Sequence, residues 1–451
     1  MENGRFPPDF TWGASTASYQ IEGFPLEDGA CPSNWHAFTH RIGRIVDSTS
    51  GDLACDHYHR YREDVAILKE LGVKAYRFSV AWPRIFPQPG RLNPKGLSFY
   101  KRLVDELLRA GVEPWITVFH WDMPDWLERT GGFTNRESVD RLVDYGTALF
   151  QALGDRVKSW ITVNEPMVYA TMGYVMGDFP PGRRNDLRGM YRSSHHLLLA
   201  HARLVEAFPS LVRGGRVGIA QHQIRILPRD PGRPGDRAAA RTMDEAINRF
   251  YMDPLVHGAY PAGLMRRMAR FLPRGWERDL PSMKRLGDYV GLNYYTRRIF
   301  SRSVLQPYTR AREYQDSAAA KSAMWDIWPQ GIYDLLMRMK TEYGNPPCYV
   351  TENGFPLVER EGRDPLEDPE RIGYLRAHIA KVGEAMRDGA DCRGYFVWSL
   401  LDNFEWNLGL TMRFGLIRTD FITMERAWKR SARWYGGLIA RGGMAMEEER
   451  A

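Results

Sequence analysis

The chain has 451 residues, 43% hydrophobic and 12% aromatic, so it is long enough and apolar enough to bury a large core. Its formal net charge is +7, but positive and negative residues are mixed along the chain and no block of Lys or Arg stands out. We therefore expect an arginine-rich solvated surface and no nucleic-acid partner. No run of 18 apolar residues occurs, which predicts no membrane partner and no membrane span.

Predicted strands and helices alternate along most of the chain. The strands are expected at 10–14, 73–80, 114–119, 161–164, 217–221, 289–293, from 348 onward, and at 394–398. The helices are expected at 58–71, 97–110, 138–153, 187–208, 238–252, 331–343, 370–388 and 432–440. Long polar or Pro-rich connections are expected at 229–237, 301–324 and 355–369.

Eight apolar strands, each followed by a helix, predict an α/β fold with one closed parallel sheet, a single (β/α)8 TIM barrel. An open doubly wound sheet is the alternative, but no strand is followed by a GxGxxG or P-loop motif. We expect one domain over residues 1–451, with a frayed tail at about 441–451.

The cysteines and the amino terminus bear on location. Cys31, Cys55, Cys348 and Cys392 show no CxxC pairing and no regular spacing, which is typical of reduced thiols. Residues 1–8 lack the basic-then-apolar pattern of a signal peptide. The sequence therefore predicts a cytoplasmic protein.

Polar side chains stand at the carboxyl ends of five predicted strands. They are His120, Glu165, Asn293, Glu352 and Trp398, the last an aromatic with a polar tip. In a (β/α)8 barrel the loops at the carboxyl ends of the strands build the active site. We therefore expect these residues to converge.

Two of these residues, Glu165 and Glu352, are carboxylates of the kind that cleave a glycosidic bond. That reaction needs a proton for the leaving oxygen and a negative group beside the oxocarbenium-like transition state. Carboxyl groups ~5 Å apart give retention, whereas ~6.5–9.5 Å leaves room for a water molecule and gives inversion. The sequence does not decide between these distances.

The motifs around both glutamates resemble those of family 1 glycoside hydrolases, the β-glucosidase family. The resemblance runs from residue 10 to about residue 435, nearly the whole chain. It rests on FTWGASTASYQ at 10–20, YRFS at 76–79, FHW at 119–121, NEP at 164–166, NYY at 293–295, TENG at 351–354, WSLLDNFEW at 398–406 and RFG at 413–415.

The resemblance implies that Glu165 is the acid/base and Glu352 the nucleophile. Arg77 and the hydroxyl of Tyr295 would keep Glu352 ionised, because opposite charge and donated hydrogen bonds favour the anion. That anion would in turn keep a proton on Glu165. Asn164 would hydrogen-bond the 2-hydroxyl of the sugar.

The resemblance also implies a set of substrate-binding residues. A buried Gln or His is more often a satisfied core residue, so the family match carries these assignments. The residues that would contact hydroxyls of the nonreducing sugar are Gln20, His120, Trp121, Glu405 and Trp406. Trp398 would form the floor of that site, and Trp325 would form a platform for the leaving group. Asn293 and Phe414 would line the site further.

Glu405 and Glu165 also narrow the substrate class. Family members that act on 6-phosphorylated sugars generally lack a carboxylate at the position of Glu405, because like charges repel. Thioglucosidase relatives have a residue other than glutamate at the position of Glu165, whereas this chain keeps the glutamate. The resemblance therefore implies an unphosphorylated O-glycoside.

No metal or other cofactor is expected. Cys55, His57 and His59 lie at a helix start, and residues at i and i+2 of a helix point in different directions. His195, His196 and His201 lack the HExxH spacing.

Together these features predict a retaining exo-acting β-glycosidase, most simply a β-glucosidase. The expected partners are small β-glucosides and cello-oligosaccharides, and a homo-oligomer is left open. The alternatives are an enzyme that favours β-galactosides or β-fucosides and a non-catalytic sugar-binding module on the same fold. Such a module would be expected to lack one carboxylate, whereas this chain keeps both.

Overall fold

The computed structural model describes residues 5–443, and eight parallel strands close into a barrel within them. Each strand pairs with the next one along the chain, and the eighth pairs with the first. The predicted (β/α)8 barrel is confirmed. The strands are β1 (Thr11–Ser15), β2 (Ala75–Ser79), β3 (Glu113–Phe119), β4 (Ser159–Asn164), β5 (Arg216–His222), β6 (Tyr289–Asn293), β7 (Cys348–Asn353) and β8 (Cys392–Trp398).

A helix follows each strand, as predicted, with ends shifted by a few residues. The longest correction is at the fifth helix, which continues through a wider π-helical turn, Glu245–Arg249, into the helix Phe250–Val256. The barrel helices are α1 (His57–Leu71), α2 (Pro94–Arg109), α3 (Glu137–Leu153), α4 (Leu187–Leu211), α5 (Pro234–Asp244), α6 (Gln330–Glu342), α7 (Pro369–Arg387) and α8 (Arg430–Ala440).

Capping residues explain several helix ends. The side chain of Asn93 accepts a hydrogen bond from the backbone N–H of Lys95, and Pro94 occupies the first turn of α2, so this helix begins before its apolar spacing does. Gly72 ends α1 with φ 77°, a left-handed conformation that glycine adopts without strain. Gly154 after α3 has φ −68° instead, and a Cβ there would lie 2.4 Å from the carbonyl oxygen of Phe150.

The long connections contain short elements that the sequence did not predict. The connection expected to be polar and irregular at 301–324 carries the strand Ala311–Tyr314, which pairs with Arg297–Arg302; that strand also pairs with Arg225–Pro228. A second ribbon joins Ile417–Thr419 to Arg426–Trp428. Short helices and helical turns lie at Ser18–Ile21, Glu27–Gly29, Asn34–Thr39, Trp82–Ile85, Asp125–Arg129, Gly132–Thr134, Pro166–Thr171, Met172–Met176, Ala262–Met268, Ala269–Phe271, Trp276–Arg278, Leu280–Met283 and Trp406–Leu408.

The inside of the barrel is filled by a layer of apolar side chains below the mouth. Trp115 occupies its centre, with ring centroids 4.8 Å from Tyr349, 5.0 Å from Phe396 and 5.5 Å from Tyr289. The guanidinium carbon of Arg216 lies 4.7 Å from the Trp115 ring centroid. This layer packs the interior, so any chemistry must take place at the end of the barrel above it. Its members are Ala75, Trp115, Ile161, Ala220, Tyr289, Tyr349 and Phe396.

Within residues 5–443, no helix has both the length and the apolar composition that crossing a bilayer requires. The frayed tail predicted at 441–451 lies, from residue 444, outside the described residues.

Candidate active site

Glu165 is held at the mouth of the barrel by a bend in the backbone directly after β4. Its φ of 44° and ψ of 64° are left-handed, an uncommon conformation for a residue other than glycine. Its backbone N–H donates to the carbonyl oxygen of Ala220 at 2.8 Å, and Pro166 begins a helix immediately afterwards. The pairing of β4 with β5 shifts register between Ile161 and Asn164. The surrounding structure thus fixes a strained residue at a defined position.

Glu352 lies on β7, opposite Asn293 on β6. Arg77 Nη1 donates to its Oε1 at 2.6 Å, and the Tyr295 hydroxyl donates to its Oε2 at 2.8 Å. Both carboxylate oxygens are therefore engaged by donors, as the sequence predicts for an ionised nucleophile.

The two glutamates share one hydrogen-bond network. Arg77, which binds Glu352, also donates through Nη2 to Asn164 Oδ1 at 2.6 Å. Asn293 Nδ2 donates both to Asn164 Oδ1, at 3.1 Å, and to Glu165 Oε1, at 2.7 Å. Glu165 and Glu352 are each only 4% exposed. Residues from four strand ends thus bring the two acids together, as expected.

Burial raises the pKa of Glu352 to about 7. The Arg77 guanidinium and the Tyr295 hydroxyl act in the opposite direction, and the charge of Glu165 adds to the rise. The expectation that Arg77 and Tyr295 suffice to keep Glu352 ionised therefore understates the cost of burial.

Gln20 and Glu405 lie together in a second polar group. Gln20 Nε2 donates to the carbonyl oxygen of Phe404 at 2.9 Å, to Asn403 Oδ1 at 3.0 Å and to Glu405 Oε2 at 3.3 Å. These acceptors fix the amide orientation and leave Gln20 Oε1 buried without a partner. Burial, reinforced by the charges of Glu352 and Glu165, raises the pKa of Glu405 to about 8.

His120 is a neutral imidazole whose tautomer follows from its neighbours. Because Arg77 can only donate, it fixes Asn164 Oδ1 as an acceptor, so Asn164 Nδ2 donates to His120 Nε2 at 3.0 Å. The proton of the ring therefore sits on Nδ1, which is buried without a partner. Burial and the charge of Arg77 hold the pKa of His120 well below its usual range. A free donor on His120 and a free acceptor on Gln20 are what a sugar hydroxyl would satisfy.

Three tryptophans adjoin these polar groups. Trp406 lies 4.8 Å from Trp121 and 6.0 Å from His120, and Trp398 stacks on His120 at 5.8 Å, measured between ring centroids. Trp121 Nε1 donates to the carbonyl oxygen of Asn164 at 2.9 Å, so this N–H is already used within the protein. The predicted contact of Trp121 with a sugar hydroxyl stays a prediction.

Trp325 and Phe414 form an aromatic group with Tyr295. The ring centroids of Trp325 lie 5.1 Å from Tyr295 and 6.0 Å from Phe414. Since Tyr295 also binds Glu352, this group adjoins the acids, where a leaving group would lie.

His222 is a further polar residue at the mouth that was not predicted from the sequence. Its Nδ1 lies 3.3 Å from Glu165 Oε1, and its ring stacks on Tyr295 at 6.0 Å. The predicted fifth strand stopped at Gln221, one residue short, whereas β5 ends at His222 opposite Asn293. A fifth strand predicted one residue longer would have placed His222 among the polar strand ends.

The histidine clusters set aside in the sequence are engaged separately. His57 Nδ1 lies 2.8 Å from Asp64 Oδ2, and His196 Nδ1 donates to the carbonyl oxygen of Phe133. His195 contacts Tyr260 and Asp279, and His201 contacts Thr162 and the carbonyl oxygen of Arg285.

Comparison with known proteins shows to which family this chain belongs. The family model described as glycosyl hydrolase family 1 matches residues 2–444. The chain belongs to glycosyl hydrolase family 1. A family 1 relative named beta-glucosidase A, from Thermotoga maritima, is 42% identical over 98% of this chain and 100% of its own length. A 1,4-beta-D-glucan glucohydrolase from Thermotoga neapolitana is 43% identical over 98% of this chain and 99% of its own length.

Solved family 1 structures agree closely with the fold. The family 1 β-glucosidase from Thermotoga maritima has a TM-score of 0.94 at 41% identity, covering 99% of this chain and 100% of that one. The same protein in complex with deoxynojirimycin has a TM-score of 0.92 at 41% identity, covering 98% of this chain and 100% of that one.

Proposed function

We propose that this protein is a retaining, exo-acting β-glucosidase that releases terminal nonreducing β-D-glucosyl residues by double displacement. Family 1 membership and relatives named as β-glucosidases over their whole length support the activity. The observation that carries the assignment of residues is the single network from Glu352 through Arg77, Asn164 and Asn293 to Glu165.

In the first step, a Glu352 oxygen attacks the anomeric carbon and the bond to the leaving oxygen breaks. The leaving oxygen takes a proton from Glu165. Glu165 Oε1 already accepts a hydrogen bond from Asn293, so the proton to be transferred is carried by Oε2. The product of this step is a glycosyl ester on Glu352 and a free alcohol.

In the second step, water attacks the anomeric carbon and the ester bond to Glu352 breaks. Glu165, now a carboxylate, accepts a proton from the water. Glu352 leaves as an anion, stabilised by the donors Arg77 and Tyr295. Inversion at each step gives net retention.

The binding roles proposed for the remaining residues follow their free hydrogen-bonding groups. Gln20 Oε1 accepts a hydrogen bond from a hydroxyl of the glucosyl residue, and His120 Nδ1 donates a hydrogen bond to a hydroxyl of that residue. Glu405, whose pKa is raised to about 8, can donate as well as accept at neutral pH. Trp398 and Trp406 provide apolar faces for the sugar ring.

The substrate is proposed to be an unphosphorylated β-glucoside, including short cello-oligosaccharides. A 6-phosphate would add negative charge beside Glu405, Glu165 and Glu352. The relative named 1,4-beta-D-glucan glucohydrolase supports the oligosaccharide range. The aromatic group of Tyr295, Trp325 and Phe414 suits leaving groups with a flat face, and turnover of β-galactosides or β-fucosides is the second possibility.

The test is hydrolysis of 4-nitrophenyl β-D-glucoside by the wild type, Glu352→Gly and the exposed control Glu361→Ala. Glu352→Gly should be inactive, and azide should restore release of nitrophenol with α-glucosyl azide as the product, while the control matches the wild type. Equal hydrolysis by wild type and Glu352→Gly would refute the nucleophile. Sugar binding without hydrolysis by the wild type would favour the non-catalytic module.

We also propose that the chain is a single domain, and that it works in the cytoplasm. The continuous barrel supports the first, and four free cysteines, three of them buried, fit a reducing compartment.

A further inference from the structure

The short helix Asn34–Thr39 and the loop after it bring three potential metal ligands together. His36 and His40 are four residues apart, so their rings lie on one face, with centroids 4.3 Å apart. Asp52 approaches from the loop before α1, and His40 Nε2 lies 3.1 Å from its Oδ2. The potential ligand atoms of the three residues all lie within 4.8 Å of one another. This group was not predicted from the sequence.

In the ring of His40, Nδ1 carries a proton and Nε2 faces a carboxylate. His40 Nδ1 lies 2.7 Å from the carbonyl oxygen of His36, and since a carbonyl only accepts, Nδ1 carries a proton. In the neutral ring Nε2 is then a lone pair directed at Asp52, an unfavourable contact unless a proton or a metal ion lies between them. Ring nitrogens that bind metals commonly have the other N–H held by a backbone carbonyl in this way.

His36 completes the group without a good alternative partner. Its Nδ1 lies 3.3 Å from Asp52 Oδ1, and both atoms are buried without a hydrogen bond of normal geometry. Zinc bonds to nitrogen and oxygen of ~2.0–2.1 Å imply ligand atoms roughly 3.3 Å apart in a tetrahedron. The observed separations, 3.3 Å from His36 Nδ1 to Oδ1 and 3.1 Å from His40 Nε2 to Oδ2, are close to that edge, and each ring meets a different oxygen of Asp52.

We propose that His36 Nδ1, His40 Nε2 and the carboxylate of Asp52 bind one divalent transition-metal ion of the zinc class. Two imidazoles and a carboxylate suit zinc, cobalt, nickel or copper better than calcium or magnesium, which prefer oxygen ligands. The side chains of His40 and Asp52 are 47% and 42% exposed, so water can supply the fourth ligand.

The site lies on the outer side of a helix that supports the sugar pocket. Trp35, on the same helix, packs against Trp406 with ring centroids 4.5 Å apart. The hydroxyl of Thr39 lies 2.9 Å from that of Tyr19, whose ring stacks near Trp406. The metal is therefore assigned a structural role, which is to hold this helix to the loop at Asp52.

The experiment is calorimetric titration of zinc chloride into the full-length protein after chelator treatment. We expect one zinc ion per chain, with affinity that falls as the pH is lowered from 7.5 to 5.5, because zinc displaces protons from histidine. Substituting cobalt should give the visible absorption of a four-coordinate site. Zinc should also raise the Tm of the wild type, and the rise should continue with the logarithm of the free zinc concentration above the Kd.

The variants His40→Ala and Asp52→Ser, on two different segments, should each weaken zinc binding by at least about tenfold. His59→Ala is the matched control, because this exposed histidine also lies between two carboxylates, those of Asp56 and Glu27. It should bind zinc as the wild type does. Unchanged hydrolysis of nitrophenyl β-glucoside shows that a variant is folded.

Absence of saturable zinc binding by the wild type would overturn the proposal. So would wild-type affinity in either folded variant, His40→Ala or Asp52→Ser, or loss of binding in His59→Ala alone. Because the three side chains form one site, the zinc affinity of either folded variant is sufficient to decide.

Discussion

The interior layer of the barrel and its mouth are built from the same strands, yet they behave differently. β3 supplies Trp115 to the interior and leads to His120 at the mouth, and β7 supplies Tyr349 below and Glu352 above. The interior holds close-packed aromatic rings, whereas the mouth holds buried acids, amides and a guanidinium in one hydrogen-bond network.

The backbone differs in the same way between the two levels. Glu165, Trp121 and Trp406, all at the mouth, have positive φ values of 44°, 78° and 51°. Register shifts in the β4–β5 and β6–β7 pairs also occur at the carboxyl ends, next to Glu165 and Glu352. The comparison teaches that packing of the interior layer stabilises the fold, while irregular backbone at the mouth aims the reacting groups.

The largest expected effect is on catalysis at the mouth. Glu165→Ala should lower kcat/KM for alkyl β-glucosides by about 10²–10⁴-fold, because these leaving groups need a proton. The loss should be much smaller for 2,4-dinitrophenyl β-glucoside, whose leaving group needs none. Unfolding measured with urea should change little by comparison. Equal losses on both substrates would contradict the acid role.

In the interior the expected effects are reversed. Trp115→Ala should lower the free energy of unfolding by about 3–5 kcal/mol, because it empties the centre of the aromatic layer. The kcat per active site should stay within a few-fold of wild type. The concentration of active sites is measured from the burst of nitrophenol that a slow fluorosugar substrate releases. Ile422→Ala, at an exposed side chain, is the control and should change neither quantity. A large loss of kcat in Trp115→Ala with an unchanged free energy of unfolding would contradict the proposed division between the two levels.

A smaller effect concerns what burial of charge at the mouth costs in stability. The ordinary pKa of a glutamate is 4.5, and that of Glu405 in the folded protein is about 8, so the folded state binds this proton more tightly. The free energy of unfolding therefore falls as the pH rises from about 4.5 to 8, and is lowest above both values.

Glu405→Gln removes this titration, so its stability relative to wild type should be greater at pH 8.5 than at pH 5, by on the order of 1 kcal/mol or more. Urea unfolding at the two pH values measures the difference. Glu425→Gln, at an exposed glutamate, should show no such difference. A difference of the opposite sign would mean that Glu405 is not penalised by burial.

The smallest expected effect is at His222, which contacts Glu165 and was not predicted from the sequence. His222→Leu removes the contact of His222 Nδ1 with Glu165 Oε1, which helps to hold the carboxyl group in position, so kcat/KM for alkyl β-glucosides should fall by up to about tenfold. His222→Asn can place an amide donor there and should restore most of the activity. Equal kcat/KM values for wild type and His222→Leu would exclude this role.

The sequence by itself determined the order of strands and helices, and with it the barrel. Eight apolar runs alternating with helical spacing allow few other parallel arrangements, because parallel strands need helical crossovers. The sequence also placed Glu165, Glu352 and Asn293 at strand ends, and the closed sheet then brought them to one mouth. The motifs, through the family resemblance, supplied Arg77 and Tyr295, which the structure places on Glu352.

Only the tertiary structure decided how those groups share their charges and protons. The pKa of Glu352 depends on burial against the donors Arg77 and Tyr295, and the three residues lie on three different strands or their loops. The tautomer of His120, the commitment of the Trp121 N–H and the contact of His222 with Glu165 likewise depend on neighbours that are distant in sequence. A one-dimensional pattern reports which side chains reach one end of the barrel. Hydrogen-bond partners and solvent exclusion are set by packing in three dimensions.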